Sequence, residues 1–150
     1  MPPRASHRLS ILILPGGEAA SVPAHAVARE VCGEALRSGL PAPSGHDEPA
    51  PRFLSNEQGG FRVRCPATGE PAARPFGAAL QRWREGGPRQ AACPCGASHD
   101  LADFDLAPPA GFAASWLEFR DVGFPDLPEI LAAALAAAWP GFRVVLRRDS

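Results

Sequence analysis

A short apolar run near the start of the chain constrains the fold more than any other feature. Residues 9–15 read LSILILP, a stretch of leucine and β-branched side chains closed by Pro15-Gly16-Gly17. Such a run is typical of a buried β-strand. Its apolar part is shorter than the signal-peptide core of about 7–15 residues, and far shorter than the ~20 residues that cross a bilayer. We therefore expect a cytoplasmic protein with no membrane partner.

The order strand, helix, strand recurs three times, at residues 9–55, 61–93 and 115–146. Within each segment, apolar residues with strand-like patterning flank a stretch in which they recur at helical spacing, and glycine or proline ends the helix. This pattern predicts an α+β fold in which helices pack on a mixed or antiparallel sheet. A chain of 150 residues is long enough for a substantial core, so we expect a single domain over residues 1–150.

Two connections are predicted from proline and glycine. Residues 41–51 read PAPSGHDEPAP, with four prolines, a small acidic cluster and no apolar period, which predicts a loop. Residues 51–55 and 60–65 flank the turn sequence NEQG at 56–59, which predicts a hairpin.

The basic residues are all arginine apart from four histidines, and lysine and tyrosine are absent. This composition is typical of a GC-rich bacterial gene. The formal net charge of −1 gives no general attraction to nucleic acid, although local basic faces remain open. Arginine and aromatic residues on one sheet face would suit single-stranded nucleic acid. The arginines concerned are Arg62 and Arg64, Arg82 and Arg84 beside Trp83, and Arg143, Arg147 and Arg148.

A dense group of metal-ligand types lies in the segment AACPCGASHD at residues 91–100. Cys93, Cys95 and His99 supply a soft or borderline donor each within seven residues. Cys65 follows a predicted strand 28 residues earlier and is placed to supply a fourth. Zinc takes four tetrahedral ligands from thiolate and imidazole. The predicted site is therefore a zinc ion held by Cys65, Cys93, Cys95 and His99.

The two cysteine segments resemble the Cys-Pro-x-Cys-Gly knuckles of zinc ribbons. CPATG at 65–69 and CPCG at 93–96 carry the resemblance, which covers about 35 residues. Thr68 stands where a ribbon has its second cysteine, and the second knuckle is one residue short, so His99 would restore the missing ligand. The resemblance implies a structural zinc in a small metal-binding subregion over residues 65–99.

A redox role for two of the cysteines stays open, and the remaining cysteine, Cys32, is not expected to be a ligand. Cys93 and Cys95 could form a redox pair, although the C-x-x-C spacing of thioredoxin-like sites is missing. Cys32 lies among apolar helix positions and is expected to pack in the core as a small hydrophobic residue.

The acidic residues beside His99 allow a catalytic alternative. Asp100, Asp103 or Asp105 could serve as general base for a zinc-bound water in a hydrolase. The same sequence, HDLADFD, is also typical of a short capped helical turn with its acids in solvent. No phosphate-binding loop, G-x-S-x-G or H-E-x-x-H motif occurs, so familiar enzyme classes gain no support.

We predict a zinc-containing binding or interaction module in preference to an enzyme, and its expected partner is a protein of unknown identity. A zinc-dependent hydrolase is the first alternative, and a nucleic-acid-binding module is the second.

Overall fold

The computed structural model describes residues 9–17, 20–56, 62–122 and 126–148. In these residues the chain forms three α-helices and eight strands, and every named strand pair is antiparallel, which confirms the predicted α+β class. A short 3-10 turn, Leu101–Asp103, follows the strand Ser98–Asp100. The elements are β1 Leu9–Leu14, α1 Ala24–Arg37, β2 Ser44–Leu54, β3 Arg62–Arg64, α2 Ala73–Arg84, β4 Gln90–Ala92, β5 Ser98–Asp100, β6 Asp105–Ala107, β7 Gly111–Val122, α3 Glu129–Ala138 and β8 Arg143–Arg148.

The chain divides into two compact units, one made of Met1–Gln58 with Pro109–Ser150 and the other of Gly59–Pro108. The first unit has the element order β1-α1-β2-β7-α3-β8 and the sheet order β2-β7-β1-β8. That combination is a split βαβ arrangement, in which two strand–helix–strand segments interleave in one sheet. A single folding domain over residues 1–150 stays a prediction.

Strand β1 occupies the interior of this sheet, as its apolar sequence predicts. Ile11 and Ile13 contribute to a buried cluster with residues of α1 and α3, including Val27 and Leu135. Leu12 and Leu14 belong to a second buried cluster. All four side chains of Ile11–Leu14 are completely buried, so burial of apolar surface on both faces fixes the strand in place.

The second unit contains two small sheets and one helix. β3 pairs with β6, and β4 pairs with β5, while α2 buries Phe76, Ala79 and Leu80. The predicted hairpin between residues 51–55 and 60–65 is wrong, because β2 pairs with β7 and β3 pairs with β6. Residues 57–59 of the expected turn and residues 60–61 of the expected second strand lie outside the described residues.

The proline-rich segment 41–51 was expected to be a loop, and this prediction is wrong for residues 44–51, which belong to β2. β2 lies at the edge of the sheet, where proline is tolerated because one side of the strand needs no ladder hydrogen bonds. Pro49 and Pro51 both fall where the register with β7 shifts, between Asp47 and Arg52. The prolines are thus accommodated by an irregular edge strand.

Asp47 on β2 caps helix α1 from a distance in sequence. Its carboxylate accepts hydrogen bonds from the backbone N–H groups of Ala24 (2.8 Å) and His25 (3.1 Å), and from the Ser115 hydroxyl (2.8 Å). Pro23, at the helix N-cap, supplies no side-chain cap. A Cβ on Gly45 would lie 2.6 Å from backbone atoms of Ala24. The glycine therefore permits the close approach of β2 to the helix that this capping needs.

None of the helices in the described part of the chain combines the length and apolar character needed to span a membrane.

We expect Asp47→Ala to lower the free energy of unfolding by about 1–2 kcal/mol, because the first turn of α1 loses its acceptors. Urea unfolding followed by circular dichroism measures the change. Glu48→Ala is the matched control on the same strand, since Glu48 makes only an exposed pair with Arg52 and such pairs contribute little. Equal losses in the two variants would contradict the capping role.

The same carboxylate predicts a pH dependence. Burial alone would raise the pKa of Asp47, but hydrogen bonds from Ala24, His25 and Ser115 outweigh it and hold the pKa well below its usual range. The stabilisation is therefore present above the ordinary value of 3.8 and is lost as pH falls towards the folded-state pKa. We expect the unfolding free energy of Asp47→Asn to fall less steeply than that of the wild type between pH 4 and pH 2, in the same urea titration.

Candidate metal centre

The four predicted ligands come together in the second unit. The donor atoms of Cys65, Cys93, Cys95 and His99 all lie within 4.8 Å of one another, and this group could hold a metal ion. Cys65 immediately follows β3, Cys93 immediately follows β4, and His99 lies on β5. Cys95 lies in the turn that joins β4 to β5. Two strand ends, one tight turn and the strand β5 thus position the four side chains.

The distances within the group suit tetrahedral coordination. His99 Nε2 lies 3.7 Å from Cys65 Sγ and 3.2 Å from Cys95 Sγ. Zinc bonds of about 2.3 Å to sulfur and about 2.0–2.1 Å to nitrogen place sulfur and nitrogen ligands roughly 3.5 Å apart in a tetrahedron. The two observed distances lie on either side of that value, so small side-chain movements are enough to admit an ion.

Each cysteine segment forms a tight turn that closes on its own backbone. After β3, Gly69 N–H donates to the Cys65 carbonyl (2.9 Å) and Ala67 N–H points at Cys65 Sγ (3.3 Å). After β4, Gly96 N–H donates to the Cys93 carbonyl (2.9 Å). Gly69 and Gly96 have φ values of 76° and 94°, which glycine adopts without strain. Both cysteine segments therefore form tight turns that glycine makes possible.

Burial and aromatic packing surround part of the donor group. Cys65 and Cys93 are buried, whereas Cys95 and His99 are partly exposed. The His99 ring meets Phe104 edge to face, with centroids 5.8 Å apart, and Phe104 meets Phe76 of α2 at 5.6 Å in the same manner. Packing against aromatic rings fixes the orientation of an imidazole ligand. Phe104 is a supporting residue that its sequence position alone does not reveal.

The two buried thiols differ in acidity. The Thr68 side chain donates a hydrogen bond to Cys65 and is the main cause that lowers the pKa of this thiol to about 6. Burial is the main cause that raises the pKa of Cys93 to about 11. Thr68 occupies the position of the second ribbon cysteine, and here it stabilises a thiolate instead of supplying one.

The neighbouring carboxylates are either engaged by other residues or exposed to solvent. Asp100 accepts a hydrogen bond from Ala102 N–H (2.8 Å) and pairs with Arg89 at 3.1 Å. Asp103 and Asp105 are exposed. Within the described residues, the metal-binding group includes no carboxylate. The short capped turn expected for HDLADFD is present as Leu101–Asp103, with Leu101 buried.

None of the four cysteines forms a disulfide, and Cys32 lies outside the donor group. All four are free thiols. Cys32 lies on α1 in the first unit and is half-buried, so it is less buried than the neighbouring core residues Val31 and Ala35. Its exclusion from the donor group makes it a useful reference thiol.

No protein-family model matches this chain, and no curated protein or solved structure matches it.

We expect metal affinity to fall with decreasing pH, and to fall more steeply below about pH 6, because Cys65 then adds a proton that the ion must displace. Competition with a chromogenic chelator at a series of pH values measures this slope. Thr68→Val removes the hydrogen bond that lowers the pKa of Cys65, so the steeper region should begin at higher pH. An unchanged profile in Thr68→Val would contradict this account of the thiolate.

Proposed function

We propose that this chain is a binding or interaction module stabilised by one structural zinc ion, with Cys65, Cys93, Cys95 and His99 as its ligands. The observation that carries the proposal is the convergence of these four donor atoms within 4.8 Å. Three thiolates and one imidazole form a donor set typical of structural zinc, whereas hard cations prefer oxygen ligands.

A closed structural site is favoured over a catalytic one by the surroundings of the group. Four protein donors fill a tetrahedral shell and leave no position for water. The candidate base Asp100 is already engaged by Arg89 and by a backbone N–H. The hydrolase alternative therefore gains no support from the described residues. The ion would instead join the ends of β3 and β4 within a unit of only 50 residues, the range Gly59–Pro108, where a metal contributes directly to folding stability.

A protein partner is favoured by the exposed side chains of the first unit. The large apolar residues exposed among the described residues are Leu36, Ile130 and Leu146, and none of these is aromatic. Trp116 is buried and stacks on His46, with ring centroids 4.9 Å apart. A single-strand nucleic-acid surface needs accessible aromatic faces, so these observations favour contact with another protein.

We expect purified protein to contain one zinc per chain, measured by elemental analysis together with native mass. Cys95→Ser should lower the zinc content well below one per chain and lower the melting temperature, because the shell loses a thiolate. Cys32→Ser is the matched control and should retain zinc, since Cys32 is not part of the donor group. Equal loss of zinc in both variants would show that the ligand assignment is wrong.

One further experiment tests the structural role of the metal separately from the ligand assignment. Removal of the metal with a chelator should increase amide hydrogen exchange in residues 62–108 far more than in β1 and β7. Loss of metal without any change in exchange would contradict a structural role.

A further inference from the structure

A cleft on the second unit carries two arginines that the metal site does not use. Its volume is about 350 Å³, and the described residues that line it are Arg62, Val63, Arg64, Pro71 and Ala73. The geometry points to a binding site for a small organic oxyanion, a phosphate ester or a carboxylate attached to an apolar group. None of the proposed zinc ligands lines this cleft.

The positive charge of the cleft comes from alternate residues of one strand. Arg62 and Arg64 are both exposed, and Val63 between them is buried, so the two arginines share a face of β3. Their Cα atoms are therefore roughly 6–7 Å apart. Two guanidinium groups at this spacing can donate several hydrogen bonds to one anion with two or more oxygens.

The charges of these arginines are not neutralised within the described residues. The Arg64 side chain donates to the Gly69 carbonyl at 3.1 Å, a neutral acceptor that leaves other N–H groups of the guanidinium available. Asp105 is the cross-strand neighbour of Arg64, but no ion pair joins them in the described part of the chain. Arg62 likewise pairs with no carboxylate there. An anionic ligand would neutralise the positive charge of the two arginines.

The remaining lining favours a ligand with an apolar part. Pro71 lies beside β3 through a bridge to Arg64, and Ala73 is the first residue of α2. Both residues are exposed and provide hydrocarbon surface next to the guanidinium groups. The volume lies at the lower end of the range for small-molecule sites, about 300–1,000 Å³. The start of α2 has no side-chain cap and no acidic residue in its first turn, which adds to the positive potential.

Arg62 is the better residue for a test, because Arg64 precedes Cys65 and contacts the Cys65 turn through Gly69. The experiment titrates the full-length purified chain with phenyl phosphate, benzoate and inorganic phosphate, and follows binding by calorimetry or NMR. We expect saturable binding of phenyl phosphate or benzoate that is tighter than that of inorganic phosphate. Arg62→Gln should weaken this binding about tenfold or more, as expected for the loss of charge-assisted hydrogen bonds.

Arg82→Gln is the matched control, since Arg82 is an exposed arginine in the last turn of α2 and does not line the cleft. It should leave the affinity unchanged. Tighter binding of phenyl phosphate than of benzoate would identify a phosphate ester as the ligand class, and the reverse order would identify a carboxylate.

Three results would overturn the inference. These are no saturable binding of any probe, the same affinity in Arg62→Gln as in the wild type, and equal affinity for inorganic phosphate and both organic anions. Zinc content measured on the same samples separates this test from that of the metal centre, because a chain that loses zinc and a chain that fails to bind anions give different readouts.

Discussion

Strand β1 lies between β7 and β8, and its burial on both faces determines how the first unit is built. Because β1 pairs with these two strands, the strand–helix–strand segments at the two ends of the chain must interleave in one sheet. β2 then occupies an edge beside β7. Helices α1 and α3 cover one face with a shared apolar cluster. The strand β1 thus fixes the order of three strands, and the pairing of β2 with β7 adds the fourth.

The same strand shows how far sequence patterns determine this fold. Its continuous apolar run predicts a buried strand correctly, because hydrophobic burial is read directly from residue type. β2 has the opposite character, with only Leu54 fully buried among its eleven residues. Its partner strand β7 is distant in sequence, with Leu54 opposite Gly111 and Ser44 opposite Glu118, and its role in capping α1 depends on Asp47 meeting Ala24 in space. No local period records such contacts, so proline content suggested a loop.

The metal centre was more predictable because three of its donors lie within seven residues. Thiol and imidazole side chains at that density restrict the chemistry, and Cys65 could be added because it follows a predicted strand. The surrounding contacts were not predictable in the same way. Thr68 donates to the Cys65 thiol, and Phe104 supports His99. Both are ordinary residues whose roles arise only from the turn geometry and from packing across the unit.

The points where the chain leaves and rejoins the sheet of the first unit bear on how long the segment between them can be. Leu54 and Gly111 are direct cross-strand partners on β2 and β7, so residues 55–110 leave and rejoin the sheet at neighbouring points, about 5 Å apart. The segment is an extended hairpin connection. Loop-closure entropy rises by only about 0.6 kcal/mol for each doubling of length. The pairing of β2 with β7 is therefore compatible with insertions of very different size, and a two-residue turn could take the place of the entire segment that carries the candidate metal centre.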